Sequence, residues 1–140
     1  MPDTQKIIEE LLSQHTPVVF RAGGPSMNPT IRDGESVRIR PLQAGDLRPG
    51  SILLVRKNNR LVLHRMIRRD SKTGSLSIVA DAATDGGEGV APDDILGVAE
   101  WVQRGKRMRR LDSATSRMAG LARHALRPLR RVVVAIYRRL

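Results

Sequence analysis

Ser26, His64 and the two acids Asp81 and Asp85 are residues of this chain whose types could combine in nucleophilic catalysis. A serine hydroxyl is a weak nucleophile at neutral pH and needs a neighbouring base that takes its proton. Histidine has a suitable proton affinity for that task. A carboxylate can then orient the imidazole and stabilise its charged form. Taken alone, a histidine in an apolar strand is more often a half-buried structural residue.

The serine lies in a short loop of unusual composition, Gly-Gly-Pro-Ser-Met-Asn-Pro at residues 23–29. Its prolines fix φ and remove backbone donors, while its glycines allow φ values that other residues avoid. Such a loop can hold one serine at an unusual angle. The same residue types also build ordinary turns, so the loop by itself predicts only a turn.

The histidine lies within an otherwise apolar segment that follows an Asn-Asn pair at residues 58–59. Strict alternation along a strand predicts that His64 shares a face with Val62 and Met66. Arg65 would then lie on the opposite face. The Asn-Asn pair predicts a tight hairpin turn, because asparagine tolerates the left-handed conformation.

The elements that must position these residues are predicted to be short β-strands, because β-branched and aliphatic runs alternate with turn clusters. The predicted strands are residues 18–21, 36–40, 51–56, 60–68, 75–80 and 95–102. Residues 81–94 are acidic and glycine-rich, and we expect them to be irregular. Their oxygen ligands lack the regular spacing of a calcium loop, so we predict no metal site.

The N-terminal unit, residues 1–17, is predicted to contain an amphipathic helix over residues 4–15 that packs against the body. Thr4 is its predicted cap and Pro17 ends it. The body, residues 18–103, is the predicted β domain.

The C-terminal unit, residues 104–140, is predicted to be a basic linker at 104–113 followed by an amphipathic helix at 114–140. Pro128 should kink or split this helix. The two remaining histidines, His15 and His124, lie outside the β body and are weaker candidates for a base.

The composition limits the chemistry that is open to the chain. A length of 140 residues fits one domain with attachments, and 40% apolar residues suffice for a core. That core must be aliphatic, because Phe20, Trp101 and Tyr137 are the only aromatic residues. The sequence has no cysteine, which excludes disulfides, zinc thiolate sites and cysteine nucleophiles. We predict no cofactor.

The net charge of +11 is concentrated in the C-terminal unit. Residues 104–140 hold 12 of the 25 basic residues but only one of the 14 acidic residues, Asp112, which leaves 13 of each in residues 1–103. A basic tail on a neutral body indicates attachment to something anionic. The candidates are an anionic membrane surface, the body or a partner, and nucleic acid, which is the least supported because stacking aromatics and a known motif are missing.

Four segments in order resemble the type I signal peptidases over roughly residues 18–102. These segments are Gly-Pro-Ser-Met-Asn-Pro-Thr at 24–30, Asp-Gly-Glu-Ser-Val at 33–37, Leu-Arg-Pro-Gly-Ser-Ile-Leu-Leu-Val at 47–55 and Val-Leu-His-Arg-Met-Ile at 62–67. The resemblance implies a β-rich fold shared with the LexA-like repressor peptidases. The His-Arg pair is similar to the archaeal and endoplasmic-reticulum type, whereas bacterial members have a lysine base.

By this resemblance, Ser26 is the nucleophile, His64 is the base, and Asp81 or, as the alternative, Asp85 orients the imidazole. The implied substrate-binding residues are Gly24, Met27 and Pro29, in a shallow pocket of aliphatic residues. The sequence departs from the family at Glu35, where aspartate is usual, and at Ser51 and Ala80. We also expect no N-terminal membrane anchor of the kind that signal peptidases have.

We therefore expect a serine endopeptidase that cleaves a peptide or preprotein after small residues. Without an anchor, the expected location is the cytoplasm, where trimming of a precursor or leader peptide would suit such an enzyme. Residues 114–140 are the candidate for peripheral contact with an anionic membrane. The alternative is a non-catalytic peptide-binding or membrane-surface adaptor with the same fold.

Overall fold

The computed structural model describes residues 3–83 and 87–126. In chain order the elements are α1 (Asp3–Ser13), β1 (Val18–Arg21), β2 (Ser36–Pro41), β3 (Ile52–Lys57), β4 (Arg60–Arg69), β5 (Leu76–Val79), β6 (Glu88–Val90), a 3₁₀ turn (Pro92–Asp94), β7 (Ile95–Arg104), β8 (Arg107–Arg110) and α2 (Ala114–Ala125). The prediction of a mainly β fold with a short helix before it and another after it is confirmed.

The strands form one antiparallel sheet in the order β1-β2-β7-β3-β4-β5-β6, with β8 paired to β7. Strand β7 is central, because it pairs with β2, β3 and β8 along its ten residues. The ladder from β3 to β5 places the histidine strand beside the strand that leads into Asp81.

The β3–β4 hairpin closes as the Asn-Asn pair predicts. Asn58 and Asn59 have φ values of 50° and 62°, and Lys57 pairs with Arg60 across the two-residue turn. Positive φ at both central positions is the geometry that matches the twist of the flanking strands. This turn sets the register in which His64 lies opposite Leu53.

The core consists of two aliphatic clusters, and β3 contributes to both. Ile52 and Leu54 belong to the first cluster, with Met27 and Leu63. Leu53 and Val55 belong to the second cluster. A strand that is buried on both faces has a continuous apolar sequence instead of an alternating one. The run Ile-Leu-Leu-Val at residues 52–55 has that pattern.

Two predictions about irregular segments are wrong. Arg107–Arg110, assigned to a linker, form strand β8, and Gly105 with φ +60° makes the turn from β7. Residues 81–94, expected to be irregular, contain β6 and the 3₁₀ turn. Strand β8 is exposed at all four residues, so no apolar alternation marks it in the sequence.

The helices differ from expectation in their limits. Helix α1 includes Asp3, so Thr4 lies inside it and not at its cap. Helix α2 is capped by Ser113, whose hydroxyl accepts a hydrogen bond from the Ser116 N–H. Pro128 and the rest of residues 127–140 lie outside the described residues. Within the described residues, neither helix combines the length and apolarity needed to cross a membrane.

Candidate active site

The Ser26 loop follows β1 and holds the serine at the surface while the next residue is buried. Ser26 is exposed, whereas Met27 is only 3% exposed and packs in the first core cluster. Gly24 has φ +83°, and its N–H donates to Asp33 Oδ1 at 2.9 Å. The buried methionine and the glycine turn therefore fix the position of the serine between them.

The segment after β5 is attached to this loop. The Ala82 N–H donates to the Ser26 carbonyl at 2.9 Å, and the Asp81 N–H lies 3.4 Å from Met27 Sδ. These contacts bring Asp81 and the serine loop together although 55 positions separate the two residues in sequence. The resemblance predicts that these two regions lie at one site.

Two groups of Ser26 are available to a bound molecule. Within residues 3–83 and 87–126, neither its hydroxyl nor its N–H forms a hydrogen bond, whereas the nearby Asn28 N–H donates to the Pro25 carbonyl. A free backbone donor beside a nucleophile is the arrangement that stabilises an oxyanion.

A pocket of about 350 Å³ adjoins Ser26. It is lined by Thr4, Gln5, Ile8, Phe20, Arg21, Ala22, Gly23, Gly24, Ser26, Met27, Ile31, Leu54, Leu61, Val62 and Leu63. Most of the wall is apolar, which suits a small or aliphatic side chain. Of the three predicted substrate-binding residues, Gly24 and Met27 line the pocket, whereas Pro29 is not among the described residues that line it.

His64 follows directly after the strand residues that line the pocket. Val62 and Met66, two positions before and two positions after His64, pack with the second cluster. Leu63 packs with the first cluster, which includes Met27. Alternation thus directs the imidazole towards the second cluster. No hydrogen bond joins His64 to Ser26 within the described chain.

The environment of His64 favours the neutral imidazole. Its Nδ1 atom is buried and has no hydrogen-bond partner among the described residues. Burial and the charge of Lys57 lower the pKa of His64, while the charges of Glu88 and Asp81 oppose that shift. The ring is therefore a proton acceptor at neutral pH, as a general base must be.

Asp81 is the centre of a buried ion-pair network. Arg65 binds it through both oxygens, with Nε to Oδ1 at 2.8 Å and Nη2 to Oδ2 at 2.7 Å. His124 Nε2 donates to Oδ1 at 2.9 Å, the Thr30 hydroxyl donates to Oδ2, and Arg123 donates to the Thr30 hydroxyl at 2.7 Å. The side chain of Asp81 is 0% exposed and that of Arg65 is 2% exposed.

The network keeps Asp81 ionised. Burial alone would raise the pKa of this carboxyl, but the hydrogen bonds and charge of Arg65, with Thr30 and His124, lower it to about 2. A buried carboxylate with a bidentate arginine is well compensated, because the planar guanidinium matches both oxygens.

The geometry does not support the predicted role of Asp81 in orienting His64. Arg65 binds both of its oxygens, and the histidine that hydrogen-bonds to it is His124. The charge of Asp81 does reach His64, where it opposes the lowered pKa. Asp85, the alternative orienting acid, lies outside the described residues.

Helix α2 is the part of the site that the sequence argument missed. Gly120 lies directly on the Arg65 guanidinium, where any side chain would overlap it, and His124 completes the Asp81 network. One signal for this docking was available: Arg65 lies in an apolar strand, and a buried arginine requires a buried acid and a cover.

The described residues contain no cluster of three or more histidine, cysteine, aspartate or glutamate side chains that could hold a metal ion. A search with protein-family models finds no match to the chain, and a search of curated proteins likewise finds none.

Proposed function

We propose that this chain is a serine endopeptidase that resembles the type I signal peptidases, with Ser26 as nucleophile and His64 as general base. The observation that carries the proposal is an exposed serine with a free N–H beside an apolar pocket. The adjoining strand continues into a neutral histidine whose Nδ1 is unpaired.

In the proposed reaction, Ser26 Oγ attacks the carbonyl carbon of the scissile bond while His64 takes the hydroxyl proton. The Ser26 N–H donates to the oxyanion that forms. His64 then gives its proton to the leaving amine, and water hydrolyses the acyl-enzyme by the reverse sequence of transfers.

Substrate binding must bring the two side chains together, because no hydrogen bond joins them in the free chain. Catalytic hydrogen bonds often tighten only in the complex with substrate. Ser26 is exposed and its hydroxyl forms no hydrogen bond within the described chain, so its side chain can change rotamer freely. The imidazole of His64 must also turn away from the second cluster, towards which strand alternation directs it. In this scheme Asp81 is a positioning residue, since it holds the serine loop and Arg65 together.

The proposed substrate is a peptide with small or aliphatic residues before the cut. The part of the wall formed by Met27, Ile31 and Leu63 is apolar, although Arg21 also lines the cavity. Trimming of a precursor or leader peptide remains the proposed process, and a cytoplasmic location remains a prediction.

The second candidate is a peptide-binding adaptor without activity. It is favoured by the lack of a hydrogen bond between Ser26 and His64 within the described residues, and by the binding of both Asp81 oxygens to Arg65. In that case the same pocket would hold a peptide and release it uncut.

The test combines a covalent probe with a peptide library. Wild-type protein is treated with a fluorophosphonate probe, and unfolded peptides that carry Ala-x-Ala are followed by mass spectrometry. We expect labelling of Ser26 and cleavage after the second alanine, both lost in Ser26→Ala. Peptide binding without labelling or cleavage would identify the adaptor and contradict the peptidase.

Contact with an anionic membrane through residues 114–140 stays a prediction. Ala114–Ala125 form α2, which docks on the body through Gly120 and His124. The five arginines of residues 127–140 lie outside the described residues.

A further inference from the structure

We propose that helix α1 forms part of the substrate-binding wall, and that Gln5 binds the substrate backbone through its side-chain amide oxygen. The inference rests on the proposed peptidase function and deepens it. It assigns a recognition role to a helix that the sequence marks only as amphipathic.

Helix α1 is held against the body by side chains along its length. Leu12 is 4% exposed and belongs to the first core cluster, against which Ile8 and Leu11 also pack. Glu9 forms an ion pair with Arg56 of β3. The helix therefore has a defined position relative to the sheet, which a residue that recognises substrate requires.

The first two turns of this helix reach the pocket beside the nucleophile. Thr4, Gln5 and Ile8 line the same cavity as Ser26 and Met27. Residues spaced by three and four positions lie on one helix face, so this side of α1 forms a continuous surface along the cavity. A peptide that presents a carbonyl to Ser26 would pass along this surface.

Gln5 carries an unused hydrogen-bond acceptor within that wall. Its Oε1 atom is buried and has no partner among the described residues. A buried acceptor without a partner is unfavourable, so such groups call for an explanation in a folded protein. An extended peptide carries backbone N–H groups, and one of these would satisfy Oε1 once rotation of the Gln5 side chain turns this buried atom towards the filled pocket.

The apolar neighbours make this hydrogen bond selective for a peptide backbone. Ile8 and Phe20 flank the cavity near Gln5 and exclude water when a substrate side chain enters. The strength of a hydrogen bond formed in such surroundings is reduced little by competition from water. The wall would therefore favour an extended chain with a small apolar residue near α1.

The experiment compares Gln5→Met, which keeps length but removes the acceptor, with Gln5→Glu, which keeps an acceptor. Gln14→Met is the matched control, because Gln14 is exposed and is not among the residues lining the cavity. Steady-state cleavage of an Ala-x-Ala peptide is measured for each. We expect KM to rise about fivefold in Gln5→Met with kcat nearly unchanged, and to recover in Gln5→Glu.

A second arm removes the partner group from the ligand. Binding to Ser26→Ala is measured for an amide peptide and for analogues in which one backbone N–H at a time is replaced by an ester oxygen. One of the ester peptides should bind Ser26→Ala more weakly than the amide peptide does. In the double variant Ser26→Ala with Gln5→Met, that ester and the amide peptide should bind equally well. Equal losses in both backgrounds would overturn the inference.

The two proposals fail in different ways. If the fluorophosphonate probe labels Ser26 and peptides are cleaved, but Gln5→Met has the KM of wild type, the role of Gln5 is wrong and the peptidase stands. If Ser26 is never labelled, the peptidase is wrong, while the ester series on Ser26→Ala still decides whether Gln5 binds a peptide backbone.

Discussion

Replacement of Asp81 by asparagine tests the buried network most directly. In Asp81→Asn the volume is unchanged, but the guanidinium of Arg65, 2% exposed, loses its counter-charge. Removing one partner of a buried ion pair costs about 3–5 kcal/mol, because the remaining charge is left uncompensated. We therefore expect the free energy of unfolding at pH 7 to fall by that amount.

Part of this loss must depend on pH. The pKa of Asp81 is lowered from its ordinary 3.8 to about 2, which contributes on the order of 2 kcal/mol of stability when the carboxyl is ionised. Because the folded pKa is the lower one, this contribution is complete above about pH 4 and disappears as the pH falls towards 2. The difference between wild type and Asp81→Asn should therefore shrink by about 2 kcal/mol over that window.

The assay is urea denaturation followed by circular dichroism at a series of pH values, with global fits of the midpoint and slope. Asp93→Asn is the control, since Asp93 is exposed on the 3₁₀ turn and should change stability by less than about 0.5 kcal/mol. The reasoning is refuted if Asp81→Asn is as stable as this control at pH 7, or if its deficit is constant between pH 5 and pH 2.

Three further predictions concern α2, the base and the tail. Gly120→Ala should lower the unfolding free energy by about 1–3 kcal/mol, because the new methyl group overlaps Arg65. Peptidase activity should rise with pH through a midpoint below 6.5, since His64 acts when neutral and its pKa is lowered; Lys57→Met should move that midpoint upward. Removal of residues 127–140, which include five arginines, should reduce co-sedimentation with anionic vesicles, each arginine contributing about 1 kcal/mol at low salt.

Controls separate these effects from general damage. Gly23→Ala has open space around the new methyl group, so thermal unfolding should detect the change at Gly120 but not this one. His64→Ala should lower kcat at least a hundredfold, while its circular dichroism spectrum should show that the fold is intact. Equal pelleting of the full and shortened chains with vesicles would remove the membrane prediction.

The β body could be predicted because its signals are local. The Asn-Asn turn, the continuous apolar run of β3 and the alternation along β4 each reflect the conformation and burial of neighbouring residues. Strand β8 carried no such signal, since Arg107–Arg110 are exposed and their pairing depends on β7. Their charges suggested a linker, whereas main-chain hydrogen bonds determine the structure.

That Ser26, His64 and Asp81 form one catalytic site stays a prediction, whereas the hydrogen-bond partners of Asp81 could not be predicted from the sequence. The order of the motifs predicts that Ser26, His64 and Asp81 lie in one region. The structure joins the serine loop to the Asp81 segment, but within the described residues no hydrogen bond links His64 to either of them. Which histidine contacts Asp81 depends on the docking of α2, a contact across 43 positions that no local pattern encodes. The strong preference of a carboxylate for arginine then decided the pairing with Arg65.

The position of Gly120 and His124 over Arg65 and Asp81 has a consequence for synthesis of the protein. Every strand of the sheet leaves the ribosome before α2 does, so the nascent domain can pair its strands while its central ion pair is still open to water. Docking of α2 then excludes that water as a late event. Premature termination within α2 would thus release a chain with a complete sheet and an uncovered ion pair, a form that cellular proteases should remove quickly.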